Sequence, residues 1–318
     1  MTGVCLSCLR PIQGDRHYHE RCLRALFGSS RLPLVDVELG KLHTVALAMV
    51  GRTSLSGVQR KLSLGLDLKR MTLQVEVERR RYILKPPSET FPALPENELV
   101  TMRLADLFDI EVPPCALVPL RDGPLASIVA RFDRPVAGGK LRQEDFCQLE
   151  EKSPKEKYDG SAERCAKVTQ RYAAEPGLEL LKLFRLVLFG WWTGNGDMHL
   201  KNFSLLTASD GRPRLAPAYD LLCTRLVIPD DPLALPVGGR KEKLNRKTWE
   251  KFAEDCGLPL KMTVRELARP QATLGKAVAL IGRSPLPNEM KGSYVALLNE
   301  RAQILRGGPD LGADPKSR

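Results

Sequence analysis

The most informative segment of the sequence is Gly194-Asn-Gly-Asp-Met-His-Leu-Lys-Asn-Phe203. It places an aspartate and an asparagine five residues apart, directly after an apolar segment that runs from Leu178 to Trp192. Glycine adopts the left-handed backbone that commonly ends a helix. The sequence therefore predicts a buried helix that stops at residue 194 and a polar loop that follows it.

Asp197 and Asn202 have the spacing that phosphoryl transfer from a nucleotide requires. A carboxylate must orient the attacking hydroxyl and take its proton, and a nearby oxygen ligand must hold Mg²⁺ on the phosphates. The kinase catalytic loop supplies these groups as Asp and, five residues later, Asn. Asp220 follows an apolar stretch downstream and is placed to be a second Mg²⁺ ligand. Alone, this spacing is weak, because polar turns after helices produce it often.

Three further parts stand upstream in the order that this chemistry needs. A loop with serines and a glycine runs from Thr53 to Leu62 between two expected strands. Lys85 ends a strand that Pro86 and Pro87 stop, and Glu98 lies in the first turns of the next helix. A strand lysine contacts phosphates and a helical glutamate pairs with it in kinases. Each residue alone is more often an ordinary surface residue, but the joint order favours kinase chemistry.

The elements change from strands to helices along the chain. Extended patterns dominate up to about residue 130 and helical patterns dominate from Gln143 onward, which predicts an α+β fold with the smaller lobe first. The expected divisions are a Cys/His-rich element at 1–28, a strand-rich lobe at 29–130, a helical lobe at 131–305 and a disordered tail at 306–318. The tail is rich in Gly, Pro and charge, which opposes packing.

Composition sets limits on the class of protein. The chain has 318 residues, 43% of them hydrophobic, and a formal charge of +11. Charged residues interrupt the longest apolar segment and no signal peptide pattern opens the chain, so we expect a cytoplasmic protein without a membrane partner. The positive charge favours acidic partners, and a solvated surface explains it equally well.

The first residues contain a separate cluster of possible metal ligands. Cys5 and Cys8 form one pair, His19 and Cys22 form a second, and a ten-residue gap divides them. This spacing is typical of a closed, tetrahedral, structural Zn²⁺ site, with His17 as an alternative to His19. The alternative is a small apolar cap with free thiols. The remaining cysteines are expected to be ordinary thiols: Cys115, Cys147, Cys165, Cys223 and Cys256.

Seven stretches together resemble the HipA family of toxin serine/threonine kinases, from about residue 53 to 305. They are Ser54–Leu62, Ile83–Pro86, Glu96–Glu98, Arg131–Arg134, Gln143–Gln148, the Asp197 loop and Ala216–Asp220. The resemblance implies a two-lobed protein-kinase-like fold. The chain lacks room for the small N-terminal subdomain of full-length members, so it looks like the shorter HipT branch of three-component systems.

The resemblance also implies roles for residues of this chain. Asp197 is expected to be the catalytic base, and Asn202 and Asp220 are expected to hold Mg²⁺. Lys85, with Glu98 as its partner, is expected to contact the ATP phosphates. The other nucleotide-binding residues that it implies are Ser56, Gly57, Val58, Gln59, Arg60 and Lys61 over the phosphates, Ala130, Arg131 and Phe132 at the adenine hinge, and His199, Leu200, Lys201 and Tyr219.

The same resemblance implies protein partners and regulation by autophosphorylation. Members of the family phosphorylate aminoacyl-tRNA synthetases and bind antitoxin proteins, through which any contact with DNA is expected. They also phosphorylate a serine in their own phosphate-binding loop, and the matching positions here are Ser54 and Ser56. A phosphoserine brings roughly −1.5 to −2 charges, which would repel ATP from this loop. We expect the modification to inhibit, with Ser54 favoured over Ser56.

Two other functions remain open at this point. The run Gly196-Asp-Met-His-Leu-Lys-Asn202 also resembles the loop of aminoglycoside and choline kinases, which phosphorylate small molecules. The loop at 54–62 and the segment at 96–98 fit the toxin kinases better. A zinc-dependent nucleic-acid-binding protein is the other candidate, favoured by the positive charge and the Cys/His cluster. The sequence shows no cluster of aromatic residues beside basic ones, and this argues against a dedicated nucleic-acid-binding surface.

Overall fold

The computed structural model describes residues 3–38, 61–75, 80–136 and 138–306. The chain forms two compact units. The first consists of residues 1–104, 112–140 and 280–287, and the second of residues 105–111, 141–279 and 288–318. The domain boundaries inferred from the sequence stay a prediction, and the disorder predicted for the tail concerns residues that are almost all outside the described ranges.

The first unit is built on a six-stranded sheet. In space the strands follow the order β3-β5-β4-β6-β8-β7, antiparallel throughout except for the parallel pair of β3 and β5. A two-stranded hairpin and one helix precede this sheet, and a second helix follows β6. Their bounds are β1 Gly3–Val4, β2 Pro11–Ile12, α1 Glu20–Phe27, β3 Leu34–Val35, β4 Leu62–Asp67, β5 Thr72–Val75, β6 Tyr82–Lys85, α2 Leu94–Leu107, β7 Cys115–Pro119 and β8 Leu125–Ala130.

Strand β4 shows why this segment is extended. Leu62 and Leu64 are both buried, and Ser63 between them is not, because successive side chains of a strand point to opposite faces. The turn into β5 is closed by Asp67, whose carboxylate accepts the backbone N–H groups of Lys69 and Arg70 at 2.9 and 3.1 Å. The extended segment predicted after the serine loop is present as the β4–β5 hairpin, whereas the strand predicted before that loop lies outside the described residues.

The second unit combines a small sheet with most of the helices. Three antiparallel strands follow the order β11-β10-β9. The bounds are β9 Arg142–Asp145, α3 Phe146–Leu149, α4 Ala162–Tyr172, α5 Pro176–Thr193, β10 Ser204–Thr207, β11 Pro213–Leu215, α6 Arg246–Asp255, α7 Leu260–Gly282 and α8 Asn288–Leu305. Within the described ranges, no helix combines the length and hydropathy needed to cross a membrane.

Helix α5 is the centre of the second unit. It is apolar on nearly all sides because neighbours surround it, and its aromatic residues pack against α6 and the end of α2. Phe184 lies 5.5 Å from Phe252 between ring centroids, and Trp192 lies 5.2 Å from Phe108. The one buried carboxylate of α5, Glu179, accepts hydrogen bonds from the Leu215 N–H and from Lys182. The predicted buried helix is confirmed.

The three-stranded sheet was not predicted from the sequence. Its first strand, Arg142–Asp145, is polar throughout and none of its residues is fully buried. It pairs with β10, which brings Asp145 opposite Ser204 beside the Asp197 loop. A polar strand at the edge of a small sheet lacks the alternation that identifies a half-buried strand, so periodicity cannot find it.

Candidate active site

The Asp197 loop begins where α5 ends. Gly194 has a φ of 74°, the left-handed conformation that glycine adopts without strain, and its N–H donates back to α5. The Asn195 N–H bonds to the Gly190 carbonyl at 2.9 Å. The Asn195 side-chain oxygen then accepts the Asp197 N–H at 3.1 Å. Each residue from 194 to 197 is thus fixed by a hydrogen bond, and Asp197 stands on a rigid turn.

A second segment holds this turn from the other side. The Thr224 hydroxyl oxygen accepts the Gly196 N–H at 2.8 Å and also contacts the side chain of Asp231. The space beside Gly196 is so small that a Cβ there would lie 2.0 Å from Asp231 Oδ2 and 2.6 Å from the Pro232 carbonyl oxygen. Only glycine therefore fits at this position of the loop.

Tyr158 contacts the predicted catalytic base directly. Its hydroxyl donates to Asp197 Oδ1 at 2.7 Å, and its ring meets the His199 ring edge-on at 5.2 Å. The Leu200 N–H bonds to the Lys157 carbonyl at 3.0 Å, which fixes this segment to the loop. Sequence reasoning missed Tyr158, because it lies 39 residues upstream and no spacing pattern marks it.

The side-chain oxygen of Asn202 is placed to coordinate a metal ion. It ends the short 3₁₀ turn Leu200–Asn202, and its N–H donates to the His199 carbonyl at 2.8 Å. The side chain is buried, yet its Oδ1 has no hydrogen-bond partner within the described parts of the chain. A buried carbonyl oxygen without a partner costs stability, so this atom suits a ligand such as Mg²⁺.

The remaining predicted residues of the second unit surround this loop. Lys201 forms an ion pair with Asp145 at 3.3 Å. The Tyr219 hydroxyl donates to the Lys201 carbonyl at 2.8 Å, and burial raises the pKa of this phenol above its ordinary value. Asp220 is half-buried and has a φ of 55°. Aspartate tolerates this left-handed conformation better than most residues, and strained backbone is frequent at functional sites.

The first unit holds the predicted lysine and its partner. Lys85, at the end of β6, forms an ion pair with Glu98 of α2. Both side chains are almost completely buried, at 4% and 3% exposure. Burying a charged group costs desolvation free energy, and the attraction between Lys85 and Glu98 offsets this cost for both side chains. The structure therefore brings together the two residues whose pairing the sequence predicted.

The predicted hinge residues follow β8. The N–H of Ala130 donates to the Pro114 carbonyl at 2.9 Å, and that of Arg131 donates to the Arg81 carbonyl at 2.8 Å. These two N–H groups are used within the protein and do not face a nucleotide as donors. Arg131 also binds the buried carboxylate of Asp133 with two hydrogen bonds of 2.9 and 2.8 Å. Burial alone would raise the pKa of Asp133, but the hydrogen bonds and positive charges of Arg131 and Arg134 have the larger effect and lower it.

Part of the predicted nucleotide site lies outside the described residues. Ser54, Ser56, Gly57, Val58, Gln59 and Arg60 all belong to it, so their proposed roles have no structural description. Lys61 is described and is exposed immediately before β4.

Comparison with known proteins places the chain in a family. The HipA-like C-terminal domain family matches residues 53–277, which is most of the chain. The chain belongs to this family. The match begins in the serine loop and ends in α7, so it contains Lys85, Asp197, Asn202 and Asp220.

Individual relatives of this HipA-like chain are named as kinases. The candidate kinase Y4mE of Sinorhizobium fredii is 34% identical over 242 residues, 72% of this chain and 57% of that protein. The serine/threonine-protein kinase toxin HipA of Shewanella oneidensis is 27% identical over 271 residues, 77% of this chain and 61% of that protein. The chain thus spans little more than half the length of these curated relatives.

Two solved structures share the fold. The first is HipA of Shewanella oneidensis in complex with HipB and operator DNA, with a TM-score of 0.68 and 23% identity. The alignment covers 79% of this chain and 65% of that one. The second is the Helicobacter pylori proinflammatory kinase CtkA, with a TM-score of 0.52 and 16% identity, covering 74% of this chain and 88% of that one.

The Cys/His cluster precedes the part of the chain that matches the HipA-like family. Cys5, Cys8, His19 and Cys22 bring one ligand atom each into a group whose members all lie within 4.8 Å of one another. His19 belongs to this group, and exposed His17 does not. The other five cysteines are all buried, as expected for core thiols.

Proposed function

We propose that the chain is an ATP- and Mg²⁺-dependent protein serine/threonine kinase of the HipA type. The observation that carries this proposal is Asn202, whose buried side-chain oxygen has no hydrogen-bond partner among the described residues. It lies five residues after Asp197, which a rigid turn holds. An acidic base with an oxygen ligand at this spacing is the arrangement that kinase chemistry uses.

Asp197 takes the proton of the acceptor hydroxyl in the proposed reaction. The hydroxyl oxygen then attacks the terminal phosphorus of ATP, the bond to the leaving ADP breaks, and the phosphoryl group ends on the acceptor. Asn202 and Asp220 are the residues that would hold Mg²⁺, which neutralises charge on the phosphates when bound. Tyr158 orients the Asp197 carboxylate through its hydrogen bond.

Lys85 has the complementary role in the first unit. It contacts the nucleotide phosphates, and Glu98 holds its ammonium group in place, because an unpaired buried lysine would lose its charge. The hinge residues Ala130, Arg131 and Phe132 border the adenine. Ala130 and Arg131 offer no N–H there, since both N–H groups bind carbonyls of the protein.

The family match supports a proposal for the acceptor and the partners of this kinase. We propose a protein acceptor of the aminoacyl-tRNA synthetase class, whose phosphorylation inhibits translation, and a cytoplasmic location. The Shewanella relative was solved with HipB and operator DNA. By analogy, this chain binds a cognate antitoxin and reaches DNA only through it.

Phosphorylation of Ser54 or Ser56 is the proposed form of self-control. Mass spectrometry of active protein beside an Asp197→Asn variant tests it. Phosphate on either serine in the first sample and not the second is the expected result, with weaker ATP binding by the modified form. An unmodified loop in protein that phosphorylates a substrate would contradict it.

One assay separates a protein acceptor from a small-molecule acceptor. Purified chain and labelled ATP are incubated with a lysate and, separately, with a panel of aminoglycosides and choline. We expect label in one or a few proteins of the lysate and none in the small molecules. Label only in a small molecule would replace the protein kinase proposal with the aminoglycoside or choline kinase alternative.

A further inference from the structure

We propose that Cys5, Cys8, His19 and Cys22 bind one structural Zn²⁺ ion, and that this ion holds residues 3–27 against the open edge of the six-stranded sheet. The inference concerns a part of the chain that precedes the family match, and it does not depend on the proposed kinase activity. The N-terminal segment is thereby a metal-dependent part of the first unit.

The distances between the ligand atoms fit a tetrahedral ion. Zn–S bonds of about 2.3 Å and Zn–N bonds of about 2.0 Å separate the ligand atoms of a tetrahedron by roughly 3.5–3.8 Å. Cys8 Sγ and His19 Nδ1 are 3.4 Å apart, and all four ligand atoms lie within 4.8 Å of one another. The ligand atoms come from two separate segments, residues 5–8 and 19–22, and converge on one point.

The backbone on both sides of the cluster has the shape that such a site needs. The Cys5 N–H donates to the Arg10 carbonyl at 3.0 Å and the Leu9 N–H to the Cys5 carbonyl at 2.9 Å, which folds the first pair into a tight turn between β1 and β2. His19 occupies the N-cap of α1 and makes no side-chain cap bond. Cys22 lies within the first turn of this helix, on the same side as His19.

A hydrogen bond to sulfur supports metal-bound thiolate at Cys5. The backbone N–H of His19 donates to Cys5 Sγ at 3.4 Å. This bond connects the hairpin to the start of α1, the two segments that contribute the ligands. Three sulfurs and one nitrogen leave no open coordination position, so the ion is structural and takes no part in phosphoryl transfer.

The cluster lies beside an edge strand of the sheet. Strand β7 pairs with β8 on one side only, and residues of the N-terminal segment cover its other side. The Leu117 N–H donates to the Leu6 carbonyl at 2.8 Å, and the Leu117 carbonyl accepts the Tyr18 hydroxyl at 2.7 Å. The Ser7 hydroxyl donates to the Cys115 carbonyl at 2.8 Å. These bonds satisfy groups that an exposed edge would offer to another chain.

The segment also shares the hydrophobic core of the sheet. Phe27 packs on Tyr82 of β6 with ring centroids 5.6 Å apart, and the Tyr82 hydroxyl donates to the Leu26 carbonyl. Cys5 itself is fully buried in this core. The 25 residues from 3 to 27 are too few to form a core large enough to fold by themselves, so the segment depends on the sheet and, in this proposal, on the metal.

Metal analysis of the full-length protein tests the site. The chain is purified without added metal or chelator, and its zinc is measured by elemental analysis and by release on titration of the thiols. We expect one zinc per chain. Visible absorption of tetrahedral, thiolate-bound cobalt after exchange with Co²⁺ is expected as well. Protein without zinc whose Cys5 and Cys8 form a disulfide, or whose four ligands react freely, would overturn the proposal.

Two histidines two residues apart provide a matched pair of variants. His19→Gln should lose most of its zinc, whereas His17→Gln should keep the full complement, since His17 is exposed and outside the cluster. His19→Cys should restore zinc, because four thiolates also form a closed site. Equal zinc content in His19→Gln and His17→Gln would overturn the assignment of ligands.

Removal of the ion should loosen the sheet edge. Amide hydrogen exchange in β7, around residues 115–119, is expected to become at least ten times faster in metal-free protein than in zinc-bound protein. The helices of the second unit should change little. Unchanged protection of β7 after complete zinc removal would contradict the role in holding this edge, and this result is independent of whether the variants fold.

Discussion

At the scale of single residues, the phenol of Tyr158 determines how Asp197 is presented. Its hydroxyl donates to Asp197 Oδ1 at 2.7 Å, while the ring rests on His199. A carboxylate that must accept a proton from a substrate has to keep one oxygen in a fixed place, and a hydrogen bond to the other oxygen does this. If Asp197 is the base, as proposed, Tyr158 is a positioning residue.

The first prediction is that Tyr158→Phe lowers kcat roughly tenfold, the effect of losing one hydrogen bond of about 1.4 kcal/mol. The KM for ATP should stay close to that of the wild type, because Tyr158 contacts the base and not the nucleotide. Steady-state kinetics with a protein acceptor that the wild-type enzyme phosphorylates, supplied in its unphosphorylated form, measure both constants. Tyr172→Phe, at the end of α4, is the control and should change neither. An equal loss in both variants would argue against a specific contact with Asp197.

The sequence allowed only part of this site to be predicted. Asp197 and Asn202 could be found because their chemistry requires a fixed spacing within one loop, and Lys85 and Glu98 because each stands in a recognisable element. Tyr158 could not be found, since only the folding of a loop 39 residues upstream brings it to the base. The occupied N–H groups of Ala130 and Arg131 likewise depend on strand pairing.

At the scale of elements, the loop after α5 is held by close packing at Gly196. A Cβ at this residue would lie 2.0 Å from Asp231 Oδ2. We predict that Gly196→Ala displaces the loop and lowers kcat about 100-fold, the effect expected when a reacting group moves by about 1 Å. Gly275→Ala on the exposed side of α7 has open space and should keep full activity. Wild-type kcat in Gly196→Ala would show that the loop position is not critical.

Helices α5 and α7 are joined by a buried ionic network. Glu266 of α7 is fully buried and accepts paired hydrogen bonds from Arg185 of α5 and Arg269 of α7, all between 2.8 and 3.0 Å. Burial alone would raise the pKa of this carboxyl group, but the two guanidinium groups outweigh it and lower the pKa to about 2. The charged form of Glu266 therefore stabilises the fold.

We predict that Glu266→Gln lowers the free energy of unfolding by about 3 kcal/mol at neutral pH, because it removes the carboxylate shared by the partly buried guanidinium groups of Arg185 and Arg269. Arg269 keeps its ion pair with Asp109. The folded pKa lies below the ordinary value of 4.5, so the contribution is present above pH 4.5 and disappears as the pH falls towards 2. Urea unfolding between pH 7 and pH 3 measures it. The difference between wild type and variant should shrink on acidification.

The control for this network is Glu254→Gln. Glu254 forms an exposed ion pair with Lys251 on α6, and such pairs contribute less than about 1 kcal/mol. A similar loss of stability in Glu254→Gln and Glu266→Gln would contradict the special role of the buried network.

The elements themselves were predictable to different degrees. Helix α5 was evident because a long apolar run without proline has few alternatives, and its end was evident from glycine. Strands β9 to β11 could not be predicted, because they are stabilised by pairing with one another. A further backbone hydrogen bond, from the Ala216 N–H to the Ser204 carbonyl, extends this pairing. Pairing between distant segments leaves no local periodicity in the sequence.

At the scale of the whole molecule, the residues proposed for the reaction are divided between the two compact units. The first unit contributes Lys85 and Glu98, and the second contributes Asp197, Asn202 and Asp220. In the zinc proposal, residues 3–27 stabilise the first unit and take no part in the reaction. Loss of zinc should therefore act on activity only through stability, whereas changes at Asp197 should act on activity alone.

Phosphoryl transfer by the Asp197→Asn variant of the full-length chain tests whether the Asp197 loop is the catalytic centre. Transfer from labelled ATP to the protein acceptor is measured beside nucleotide binding, with Asp255→Asn on the exposed end of α6 as the matched control. We predict that Asp197→Asn lowers transfer at least about 1,000-fold and keeps Mg·ATP affinity within a few-fold, because the proposed base contacts the acceptor and not the nucleotide. Asp255→Asn should behave as wild type. Wild-type transfer by Asp197→Asn would contradict the claim that this loop is the catalytic centre.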